Sequence, residues 1–246
     1  MIIVSGDSWS DPKFRSQEYP TYDCSFPKWY DLLNTRKNVL SMGKAGESNS
    51  YICKSVIKRI KEDPDITEVY VALTDWMRHT IWGKKINPQL SFFAEKTNIL
   101  SEAQLRNTRD QEAYVNIPKF NRYDMIHWGI EDTLINLHAL IDVCENNNIR
   151  LHVFQMLKVC GMPNNLDKRF WEHMFNHPLF MLLSEKSNML YGYPFLEFLG
   201  GETMDDLIKN NGNIKLRIGE ADMHPNAEGH ALIAERINRY VAAAKV

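Results

Sequence analysis

An α/β fold built on a parallel central sheet is what this sequence predicts, and two observations predict it. Short apolar, β-branched runs alternate with longer segments whose apolar residues recur at helical spacing, the pattern of βαβ units. The length of 246 residues suits one large α/β domain, and 44% hydrophobic residues with a net charge of -2 describe a chain that folds around a core.

The elements follow in order. Ile2–Ser5 is the first strand. Phe26–Leu33 reads as a short helix, with Pro27 near its start, where a missing N–H is harmless. Asn38–Met42 is the second strand. Ser48–Lys61 is a helix with Ser48 or Asn49 as its cap and Pro64 beyond its end. Glu68–Leu73 (Glu-Val-Tyr-Val-Ala-Leu) is the third strand, Tyr123–Cys144 a long helix stopped by Asn146-Asn147-Asn148, and Arg150–Leu157 the fourth strand. Pro225–Ala244 is the closing helix, with Leu232, Ile233, Ile237 and Val241 on one face. Residues 80–120 and 161–213 break the rhythm and read as two insertions within a single domain. The second is rich in aromatics, among them Trp171, Phe180 and Tyr191, which serve helix packing or a wall over a ligand site.

Several function classes are disfavoured. The most basic stretch, Lys54 to Lys61, carries Val56, Ile57 and Ile60 at the spacing of a buried stripe, so its cations form a solvated helix face rather than a nucleic-acid surface. No apolar run approaches the roughly 18 to 20 residues that span a bilayer. The chain opens on a strand-like run without the features of a signal peptide, so a cytoplasmic location is expected, with a virion as an alternative. Cys24, Cys53, Cys144 and Cys160 form no Cys-x-x-Cys pair and read as reduced thiols. His173 and His177 stand four apart, the spacing of two metal ligands, but no third ligand accompanies them. Gly43-x-x-Gly46 lacks the rest of a phosphate loop. No metal and no cofactor is expected.

The segments with chemical potential are Gly6-Asp7-Ser8, the run from Gly43 to Asn49, Thr74-Asp75-Trp76, and Asp222-Met223-His224-Pro225-Asn226. A serine after the first strand and an Asp-x-His before the last helix can meet at one edge of a parallel sheet. There they would form a Ser–His–Asp constellation, which is defined by geometry rather than by sequence order. Serine is a poor nucleophile at neutral pH without such a base.

In the order of these blocks the chain resembles the SGNH or GDSL hydrolases, esterases and lipases of a flavodoxin-like, three-layer α/β/α fold. About a tenth of the residues lie in the motifs that carry the resemblance. It implies Ser8 as nucleophile, His224 as general base, and the N–H groups of Ser8 and Gly46 as oxyanion donors. Asp7 is expected to hold the turn through backbone hydrogen bonds. Two positions depart from the family pattern. Thr74 stands where an asparagine supplies the third oxyanion donor, with Thr74 itself or Asn49 as substitutes. The acid is expected three residues before the histidine, where Ala221 stands. Asp222, two before, is then the acid, with Glu220 or a Ser–His dyad as alternatives. Trp76 and Arg78 are candidate substrate contacts. The expected activity is cleavage of a small-molecule or carbohydrate ester, O-acetyl groups first. Acyl transfer, or a degenerate binding or structural module such as part of a virus particle, are the rival readings.

Overall fold

The computed structural model describes residues 1–76, 78–81, 84–86, 122–157, 171–184, 186, 189–191 and 202–243. Five parallel strands form the central sheet: β1 (Ile2–Ser5), β2 (Val39–Ser41), β3 (Glu68–Leu73), β6 (Arg150–Gln155) and β7 (Leu190–Tyr191). Their spatial order is β2-β1-β3-β6-β7. A separate antiparallel hairpin joins β4 (His79–Ile81) to β5 (Lys84–Ile86). The helices are α1 (Asn49–Glu62), α2 (Arg122–Asn146), α3 (Pro178–Ser184), α4 (Met204–Asn211) and α5 (Ala227–Ala243).

Successive side chains of a strand point to opposite faces, and here both faces are buried. Ile3, Val69, Val71, Leu151 and Val153 pack under α1 and α2, against Ile52, Val56, Leu134 and Leu137. Ile2, Val4, Tyr70, Ala72 and Phe154 face the other way, onto Leu207 and Ile208 of α4 and Ile233 and Ile237 of α5. The result is a three-layer α/β/α sandwich of flavodoxin-like strand order. From β1 the chain steps outward to β2, then crosses back to β3 on the other side. That reversal leaves a crevice between the carboxyl ends of β1 and β3, where ligands bind in open parallel sheets.

Three expectations change. Phe26–Leu33 is not a helix but a series of turns, with i to i+3 bonds such as Asp31 N–H to Lys28 O at 2.9 Å. Its backbone is spent elsewhere: Asp31 accepts Lys28 N–H, and Trp29 N–H is donated to Nδ1 of His230 on α5. The range 161–213 holds two parts of the sandwich itself, β7 and α4. The closing helix begins at Ala227, because Pro225 is engaged in a bridge with Arg217. Most of the range 80–120 lies outside the described residues. Among the described residues, no helix is long and apolar enough to cross a membrane.

Candidate active site

The loop after β1 is held from several sides. Asp7, fully buried, caps the 3-10 turn Ser8–Ser10 by accepting Trp9 N–H on Oδ1 at 3.1 Å. Its Oδ2 accepts the Thr74 hydroxyl at 3.0 Å and Arg78 Nη1 at 3.1 Å, so the buried charge is paired and also tied to the end of β3. Gly43 presses on the same turn, since a Cβ there would lie 2.1 Å from Ser10 O. Gly46 has φ +74°, a conformation that glycine adopts without strain. The N–H groups of Ser8 and Gly46 make no hydrogen bond among the described residues.

Ser8, His224 and Asp222 lie in one hydrogen-bonded line. Ser8 Oγ is 2.8 Å from His224 Nε2, and His224 Nδ1 is 2.5 Å from Asp222 Oδ1. Asp222 Oδ1 also accepts His224 N–H at 3.0 Å. Two residues apart, in an irregular segment, the acid folds back onto the ring. The segment is stapled in place: Arg217 Nη1 donates to Met223 O at 2.5 Å, Ile218 N–H to His224 O at 2.9 Å, and Asn226 caps α5 by accepting Gly229 N–H. Burial pushes the Asp222 carboxyl up, but bonds from Ser16 and from the backbone and ring of His224 outweigh it and hold the group below the ordinary carboxylate range. A carboxylate so placed fixes the ring with Nδ1 protonated and Nε2 facing the serine. Glu220 is exposed.

The other candidate residues are placed differently. Thr74 reaches the site, but its hydroxyl is donated to Asp7. Asn49 is buried and clamps the Thr74 backbone, accepting its N–H at 2.8 Å, with Nδ2 3.4 Å from both Thr74 O and Thr133 Oγ1. These bonds hold the end of β3. Trp76 is 1% exposed and donates Nε1–H to Gln155, so it belongs to the core rather than to a substrate wall. Arg78 is bound to Asp7, which makes it a support for the serine turn. His173 lies 3.7 Å from His127 and 5.8 Å from His177, ring centre to ring centre. Among the described residues no group of three or more His, Cys, Asp or Glu could hold a metal.

Two residues gave no sequence signal. Ser16, buried, donates its hydroxyl to Asp222 Oδ2 across 206 residues of chain. The Phe14 ring lies 4.1 Å from the imidazole of His224, tilted by 31°. Both sit in an irregular loop, where no periodicity marks a side chain as functional.

The fold and the site thus describe a three-layer α/β protein with a serine, a histidine and an aspartate in line beside its topological switch point. No family model matches the chain, and no curated protein matches it. Among solved structures, the chain is similar to the psychrotrophic esterase EstA from Pseudoalteromonas sp., a structure inhibited by monoethylphosphonate. The TM-score is 0.50 at 15% identity, over 98% of this chain and 96% of that one. It also aligns with TesA, at a TM-score of 0.46 and 10% identity, over 99% and 98% of the two chains. At these identities the comparison with EstA concerns the fold.

Proposed function

We propose that the protein is a serine hydrolase of carboxylic esters of the SGNH type, with O-acetyl groups on a carbohydrate as its first substrate class. The observation that carries this reading is the line from Ser8 Oγ through His224 to Asp222. Ser8 Oγ attacks the acyl carbon while its proton passes to His224 Nε2. The tetrahedral oxyanion is held by the N–H groups of Ser8 and Gly46. Collapse breaks the bond to the alcohol oxygen, which takes the proton from His224. Water, deprotonated by His224, then attacks the acyl-enzyme; acetate leaves and Ser8 regains its proton. That an esterase shares the fold agrees with this reading.

The test is hydrolysis of p-nitrophenyl acetate by wild type and Ser8→Ala, with a fluorophosphonate probe to label the serine. Ser8→Ala should lower kcat/KM by at least about 10³ and abolish labelling. Activity that survives Ser8→Ala in folded protein would overturn the assignment. The engagement of Thr74 and Asn49 favours one other reading, a binding or structural module, and folded wild type that takes no label and turns over no ester would support it over the hydrolase. Acyl transfer would appear as acylated sugar when acceptor sugars are added.

A further inference from the structure

Residues 11–25 form a loop pinned around the site. Asp11 Oδ2 accepts Ala45 N–H at 3.0 Å, next to Gly46; Phe14 lies on the His224 ring; Ser16 holds Asp222. Between these anchors the loop lines a depression of ≈ 620 Å³. That size is ordinary for a small-ligand site. Pro12, Phe14, Pro20 and Tyr22 give it flat apolar surfaces that suit the C–H face of a sugar ring. Lys13 and Arg15 line the same depression, are exposed, and form no ion pair among the described residues. Asp23 is the one carboxylate of the lining, and it is turned onto Ser25 N–H at 2.8 Å. Within the lining two cations therefore stand against one anion, and Phe14 joins that lining to His224.

We infer that this depression is a subsite for an anionic carbohydrate, taking the unit next to the one whose ester is cleaved. The inference rests on the hydrolase reading above. Phe14 is shared by the depression and the site, its one face toward His224, so a group seated beyond the ring is a neighbour of the acylated unit rather than that unit itself. Arg15 offers paired donors to a carboxylate, sulfate or phosphate, and Lys13 adds a point charge. Both charges are in water, so salt should weaken the preference.

The experiment measures acetate release from chemically O-acetylated polygalacturonate and from chemically O-acetylated dextran, its neutral counterpart. At low ionic strength wild type should favour the acidic polymer in kcat/KM by about fivefold or more, the scale of two exposed charge pairs. The ratio should collapse at roughly 0.5 M salt, where screening acts over a few ångströms, and should invert in the double variant Lys13→Glu/Arg15→Glu. Both side chains are exposed, so the double variant should fold, as circular dichroism would verify. Equal rates on the two polymers, from enzyme that hydrolyses p-nitrophenyl acetate, overturn the subsite alone. Failure on p-nitrophenyl acetate removes the hydrolase reading and this inference with it.

Discussion

At Asp222 the two carboxylate oxygens have separate duties, Oδ1 toward His224 and Oδ2 toward Ser16. Asparagine fills the same space but carries no charge, and its NH₂ group disturbs one of the two contacts. Asp222→Asn should therefore lower kcat on p-nitrophenyl acetate by at least about tenfold, against roughly 10⁴ for the same change in a serine protease. Glu220→Gln should cost little, because that side chain is exposed. The opposite ranking would make Glu220 the acid, and two neutral variants would leave a dyad. That Ser8, Asp222 and His224 come together was legible because each stands in a short pattern. The uses of Thr74, Asn49 and Trp76 were not, since residue type states what a side chain can donate and not where it points. Each is diverted by a buried partner far away in sequence, Asp7, Thr74 and Gln155 respectively.

The 3-10 turn Ser8–Ser10 is wedged between the end of β1 and the loop after β2, with Gly43 at the closest approach. Backbone there cannot yield as the end of a side chain can. Gly43→Ala should thus push Ser10 away, costing about 1–3 kcal/mol of stability in denaturant titration and lowering esterase turnover. An unchanged midpoint together with unchanged turnover would show that the wedge is slack. Elements with strong periodicity were readable to within a few residues: β1, β3, β6, α1 and α2. The turns over Phe26–Leu33 were not, because the backbone bonds of Trp29 and Leu32 to His230 and Asn238 of α5 compete with a local helix. β7, two residues long, is too short to show any alternation. α4 did carry a signal, the capping box of Thr203 and Asp206, inside a stretch whose aromatics read as an insertion.

Across the whole molecule, charge is buried at the other end of the sheet too. Glu68, at the start of β3, lies 3.1 Å from His152 Nε2, accepts Tyr70 O–H at 3.1 Å, and pairs with Lys37 at 3.3 Å. Burial raises its carboxyl, but these bonds prevail and bring it down to about 2. A depressed carboxyl stabilises the fold above its unfolded value near 4.5 and ceases to do so as pH falls toward 2. Acid unfolding of wild type should show a loss on the order of 2–3 kcal/mol over that window. In Glu68→Gln the loss should be smaller and the starting stability lower; an identical acid limb in the two proteins would remove Glu68 from the account. The distance along the chain between Ser8 and His224, 216 residues, has a consequence for refolding. Ser8 follows β1 of the sheet and His224 precedes α5 in the layer that covers it, so the two meet only across a packed layer. Packing of α5 against the sheet face that carries Ile2, Val4 and Tyr70 brings the two atoms to 2.8 Å. Under the proposed hydrolase reading, ester turnover needs that contact and so is a sensitive gauge of whether the sandwich has closed.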